Sequence, residues 1–250
     1  MAEVPSRDGE PGAEPERGFA ERGAGDAPPG AAGHRQRLRQ RFLAAGADAL
    51  PDYELLELIL QGAMPRIDTK PIAKALLERF DGFVGAITAE PDALASVKGM
   101  GEAGVAALKA IEVAAVRLAR LKVLNQPVIS NWQALLDYCT ASLAHDRRER
   151  FHVLLLDKKN VLIADEQLAV GTVDHTPVYI REVVKRVLDR HASAVILVHN
   201  HPSGDPTPSR DDITMTNELV KALKAISVEV HDHLVIGSRG YTSFKSSGLL

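Results

Sequence analysis

The chain has 250 residues, enough for one large or two modest domains, and a formal net charge of −3, so no overall basic field draws it onto nucleic acid. Its 45% hydrophobic and 25% charged content is that of an ordinary globular protein, and its single cysteine, Cys139, excludes an intrachain disulfide or a cysteine-rich metal site and fits a reducing compartment. No apolar run approaches the roughly 20 residues of a membrane span. Residues 1–19 lack the apolar core of a secretory signal, so a cytoplasmic protein is expected.

Residues 1–33 are dominated by Gly, Pro, Ala, Glu and Arg, with Val4 and Phe19 the only bulky apolar side chains. Such a segment buries too little surface to offset its ordering entropy, which predicts a disordered tail. Residues 34–122 read as a small all-α domain. His34-Arg35-Gln36-Arg37-Leu38-Arg39-Gln40-Arg41 opens a basic helix. Pro51 and Asp52 start a second helix, with Gly62 at its end. A third is predicted over 67–80 and a short element over 84–87. Helix, Gly99-Met100-Gly101 and helix then follow. The two glycines allow a tight turn whose N–H groups can cradle a phosphate, although a tight connection inside a packed helical domain uses the same residues. Residues 118–128, with Asn125 and Pro127, read as a linker.

Residues 128–250 alternate strands and helices. We expect a helix over 132–142, a strand over 151–157, a turn at Lys158-Lys159-Asn160 and a strand over 161–172. A helix over 181–190 leads to a short apolar, β-branched run, Ala194-Val195-Ile196-Leu197-Val198, which reads as a buried strand. A helix over 212–226 and strands over 228–236 and 241–244 complete a mixed sheet flanked by helices. There is no internal repeat.

The buried strand feeds His199-Asn200-His201-Pro202. Seven residues separate His201 from Ser209, and Asp212 lies three beyond it. Residues i and i+2 of a strand point the same way, so both imidazoles can meet one ion. Residues 202–208, rich in Pro, Gly and polar side chains, form a loop, and the helix that begins at Ser209 can return Asp212 toward the histidines. Two histidines, one carboxylate and an open position are what a catalytic zinc requires. Each piece has a plainer use: a polar strand end for His-x-His, and a capping pair for Ser209 and Asp212.

Taken together and in this order, the constellation resembles the JAMM (MPN+) metalloprotease signature. The run His-Asn-His-Pro-Ser-Gly-Asp-Pro-Thr-Pro-Ser resembles the bacterial RadC family in particular, over residues 35–250. Further matches are Leu156-Asp157, Gly171-Thr172-Val173-Asp174-His175, Arg181-Glu182-Val183 and Asp232-His233; Ile180 stands where family members often have proline. The resemblance implies an α/β fold in which an MPN (JAMM, cytidine-deaminase-like) mixed sheet over 128–250 follows a helix-hairpin-helix-like domain over 34–122.

In this reading His199, His201 and Asp212 hold Zn2+, with Asp205 a rival carboxylate that suits a turn better. Ser209 supports the water or a developing oxyanion, or caps the helix, or both. JAMM enzymes carry a glutamate at the start of the strand that follows the first helix, and Glu149 stands there as general base; Glu166 and Glu182 are rivals. His231 and His233 repeat the His-x-His spacing without a following carboxylate and read as ordinary strand residues, although the recurrence of Asp232-His233 in the family allows a supporting role. Two functions follow. One is a zinc-dependent hydrolase of a peptide, isopeptide or related amide bond, with an unidentified peptide or protein substrate. The other is a DNA-associated accessory protein in which the Gly99–Gly101 turn and the arginines at 35, 37, 39 and 41 make weak, sequence-independent phosphate contacts.

Overall fold

The structure is a computed structural model, and it describes residues 31–46, 50–171 and 178–250. The expected disordered tail therefore lies almost entirely outside the described residues, as do 172–175 of the family-like Gly171–His175 stretch.

Among the described residues, six α-helices come first. The basic run forms α1 (Ala31–Ala45), which begins three residues before His34. α2 (Asp52–Ala63) follows Pro51, carries Asp52 and Glu54 in its first turn, where the helix dipole favours acids, and buries Leu56 and Leu60. α3 (Lys70–Phe80) starts later than predicted, because Pro71 is accommodated only in a first turn. α4 (Phe83–Thr88) and α5 (Pro91–Ala95) lead through the glycine turn to α6 (Glu102–Val123). Leu56, Leu60, Leu76, Leu94 and Leu108, each with no exposed surface, form the centre of this helical core. Gly99 has φ +87°, and an added Cβ there would also sit 3.2 Å from the Ile72 side chain. Only glycine suits that position. Gly101, at φ −90°, could be another residue.

The expected linker over 118–128 is half helix. α6 continues through Val123, and Val116, Ala119 and Val123 pack on the core of the sheet. Their i, i+3, i+7 stripe lies among Arg117, Arg120 and Lys122, so the segment has the composition of a polar connection although one face of it is apolar and helical. Val128 N–H then donates to the Asn160 carbonyl at 2.8 Å, which ties the incoming chain to the sheet.

After α7 (Trp132–Leu143) the sheet forms from β1 (Arg150–Leu156), β2 (Leu162–Val170), β3 (Ala194–Asn200), β4 (Glu229–Gly237) and β5 (Gly240–Ser243). Its order is β2-β1-β3-β4-β5; β3 and β4 are parallel and the other pairs antiparallel. α8 (Ile180–Asp189) and α9 (Arg210–Ala225) cover one face, through Phe151, Val153, Leu155, Val195, Leu197, Val183, Val187, Leu219 and Leu223. α7 and the end of α6 cover the other, through Leu154, Leu156, Ile196, Val198, Leu234 and Ile236. β3 is buried along its whole length, which is why its sequence is a continuous apolar run instead of an alternation. Each such aliphatic side chain contributes about 1.5–3 kcal/mol on burial, so the strand that leads into the two histidines is firmly held.

Candidate metal centre

The alternation along β3 aims Val195, Leu197 and His199 at the face covered by α8 and α9, and His201 keeps that parity one step beyond the strand. His201 N–H donates to the Ile236 carbonyl at 2.9 Å, so it is still tied to β4. The loop then folds against the turn between β4 and β5. Gly204 has φ +80°, and a Cβ there would meet Ser238 Oγ at 2.3 Å.

Ser209 is the N-cap of α9. Its hydroxyl accepts from Asp212 N–H at 3.1 Å, and its own N–H and O–H both donate to Asp212 Oδ2 at 2.7 Å. The plain capping use of this pair is therefore real. The same bonds fix the Asp212 carboxylate with Oδ1 turned to His199.

His199 Nε2 lies 3.0 Å from His201 Nε2 and 3.3 Å from Asp212 Oδ1, and His201 Nε2 lies 3.4 Å from Asp212 Oδ2. Zn–N and Zn–O distances near 2.05 Å in a tetrahedron put ligand atoms about 3.3 Å apart. The two histidines stand at about that spacing, each faces a different oxygen of the Asp212 carboxylate, and with one ligand atom from each residue lying within 4.8 Å of the others the three could hold a metal ion. Side-chain exposure is 1% at His199, 12% at Asp212 and 19% at His201, so the group opens to solvent on the His201 side.

The outer nitrogens decide where the lone pairs point. His201 Nδ1 faces the Asp205 carbonyl at 2.9 Å, and a carbonyl only accepts, so the ring carries its hydrogen on Nδ1. For His199 the chain of bonds is longer. Thr216 O–H donates to the Asp212 carbonyl at 2.6 Å, so Thr216 must accept from His233 Nδ1–H, also at 2.6 Å. His233 Nε2 is left as an acceptor, and His199 Nδ1–H donates to it at 2.8 Å. Both ligand rings then aim an Nε2 lone pair at the carboxylate. Such partners set tautomer and ring orientation in metal sites.

A proton can take the place of an ion in this group. On protonation of His201 the Nε2–H would donate to Asp212, which first, against burial, raises the pKa of His201, and the charges of Asp212 and Glu149 add to it. Burial would raise the pKa of Asp212, but protons shared with His199 and His201, at the place a cation would take between the Nε2 atoms and the carboxylate, outweigh it and hold the carboxyl far below the usual range. Burial, then the His199 charge, pushes the pKa of His233 well down, in keeping with a neutral relay. The cluster calls for positive charge at its centre.

The other candidates are placed as follows. Glu149 directly precedes β1, and strand alternation puts it on the face of Phe151, which pairs with His199. Glu166 is ion-paired to Arg190 at 2.7 Å and Arg186 at 3.3 Å of α8, and Glu182 to Arg181 at 3.6 Å. Asp205 Oδ1 accepts from the N–H and hydroxyl of Thr207, a turn role, while its carbonyl orients His201. His231 bonds Asn160 at 2.6 Å, in the turn between β1 and β2. Thr216 escaped the sequence reading, yet it lies one turn beyond Asp212 on the same helix, a spacing that could have revealed it.

In the helical part, Arg35 donates to the carbonyls of Pro65 and Ile67, and Arg41 pairs with Glu54. Glu102 places an acid in the first turn of α6, beside the glycine turn.

Comparison with known proteins agrees with this architecture. Residues 129–249 match the RadC-like JAB domain, and residues 32–106 match the UPF0758 N-terminal family. A UPF0758 protein of Rhodobacter capsulatus is 59% identical over 213 residues, covering 85% of this chain and 100% of the relative. UPF0758 protein SPO0054 of Ruegeria pomeroyi is 56% identical over 217 residues, covering 87% and 97%. Among the described residues, no helix is long and apolar enough to cross a membrane.

Proposed function

The chain belongs to the family that carries the RadC-like JAB domain, and on that premise we propose that it is a zinc-dependent hydrolase of a peptide, isopeptide or related amide bond. The observation that carries the reading is the convergence of His199 Nε2, His201 Nε2 and the Asp212 carboxylate, its Oδ1 3.3 Å from His199 and its Oδ2 3.4 Å from His201, with both Nδ1 atoms already committed elsewhere.

Zinc held there would supply Lewis acidity and lower the pKa of a bound water toward 7. The protein's part is positioning and proton transfer. Glu149, whose charge reaches His201, takes the proton from the attacking water and returns it to the leaving amine. Ser209 orients Asp212, and its hydroxyl hydrogen reaches a developing oxyanion only by leaving Oδ2. His233 and Thr216 hold His199 in its ligating tautomer. Cys139, free and buried, suits a reducing cytoplasm, where we place the reaction.

The test is to incubate the zinc-loaded full chain with a defined peptide library and read new termini by mass spectrometry. Cleavage should disappear in His199→Ala and Asp212→Ala. Glu149→Gln should keep its zinc and lose cleavage by roughly 10²–10⁴-fold, the range for a lost general base. Inactivity of Glu166→Gln with an active Glu149→Gln would reassign the base.

A further inference from the structure

We propose that Asn200, between the two histidines, is the positioning residue that sets the backbone of Glu149; the inference rests on the hydrolase reading above. Asn200 is fully buried. It points to the opposite face of the sheet from His199, so it takes no part in the metal group. Its Oδ1 accepts from Arg150 N–H at 2.9 Å, and its Nδ2 donates to the carbonyls of Asp146 at 3.2 Å and Arg148 at 3.1 Å.

The Arg148 carbonyl belongs to the peptide plane before Glu149, and the Arg150 N–H to the plane after it. Peptide planes are rigid, so a single side-chain amide that grips both planes fixes φ and ψ of the residue between them. The Glu149 carbonyl, in the second plane, also accepts from Gly171 N–H at 2.8 Å. Asp146 closes the loop on itself by accepting from Arg148 N–H at 2.9 Å. The base thus rides on the strand that carries His199 and His201. The task needs an acceptor and two donors on a short stem, which only asparagine provides: aspartate lacks the donors, glutamine is longer, and serine has a single hydrogen.

Amide hydrogen exchange and cobalt substitution test this on the full chain. In Asn200→Ala, exchange at Arg150 and Gly171 should quicken by roughly a hundredfold, as expected for three lost hydrogen bonds. The cobalt(II) visible spectrum should keep its wild-type tetrahedral form, because the ligands stay in place. The near-isosteric Asn200→Asp serves where the alanine variant does not fold. It keeps the acceptor, so Arg150 should stay protected while Gly171 exchanges faster. Wild-type protection at both amides in Asn200→Ala would overturn the clamp, as would uniform acceleration through the sheet with loss of the cobalt spectrum, the mark of a residue that merely supports the fold. A wild-type protein that gives no cobalt spectrum would remove the hydrolase reading beneath the proposal, and the proposal with it.

Discussion

Replacement of Thr216 by valine isolates the relay behind His199. Valine keeps the shape and removes one hydroxyl. That hydroxyl donates to the Asp212 carbonyl and accepts from His233 Nδ1, both at 2.6 Å, and His233 has no exposed surface. In Thr216→Val, His233 either buries an unsatisfied N–H, at about 1–3 kcal/mol, or moves its hydrogen to Nε2. The second course turns His199 over to its other tautomer, with Nε2–H directed at Asp212 and His201. Metal binding must then reverse the shift and pay the same 1–3 kcal/mol. Zinc affinity should therefore fall about 10–100-fold, the range for lost outer-shell partners. A competition titration against a chromophoric chelator reads this directly. Thr216→Ser, which keeps the hydroxyl, should bind within about twofold of wild type, a difference below 0.5 kcal/mol. Wild-type affinity in Thr216→Val would refute the relay.

The remaining predictions concern stability. Gly99→Ala should cost about 1–3 kcal/mol in urea unfolding, because φ is +87° and Ile72 crowds the new methyl, whereas Gly101→Ala should stay within about 0.5 kcal/mol. Equal losses would contradict the packing account of this turn. Burial would raise the pKa of Asp165, but the hydrogen bond and charge of His152, then the Tyr138 hydroxyl, outweigh it and hold the carboxyl below its ordinary value. Its folded pKa is below the unfolded value near 3.9, so its contribution is complete above about pH 4 and drains as pH falls toward the folded value. Asp165→Asn should flatten that part of the acid limb, measured as the urea midpoint between pH 6 and 3. An unchanged slope would show the cluster to be electrostatically neutral.

The three metal-ligating candidates were legible because their placement is local. Strand parity sets the two histidines, and a capping box brings Asp212 back three residues after Ser209. The relay was not legible, because it depends on the parallel register of β3 and β4, which places His233 beside Leu197 after an irregularity at Val195 and Ile196. The same register sends His231, two residues earlier, toward Asn160. Periodicity cannot separate two histidines of equal parity on one strand. The helix over 118–123 was lost for a related reason: Val116, Ala119 and Val123 face a core that exists only once the sheet has formed. The role of Asn200 is long-range in the same sense, since its partners lie 50 to 54 residues upstream.

The central claim is that His199, His201 and Asp212 form one metal site, and metal content measures it most directly. After zinc loading and gel filtration, elemental analysis of the wild-type chain should give about one zinc per polypeptide. His199→Ala and Asp212→Ala should lose it while keeping the wild-type far-ultraviolet circular dichroism. Stoichiometric zinc in both variants, or none in the wild type, would contradict the account.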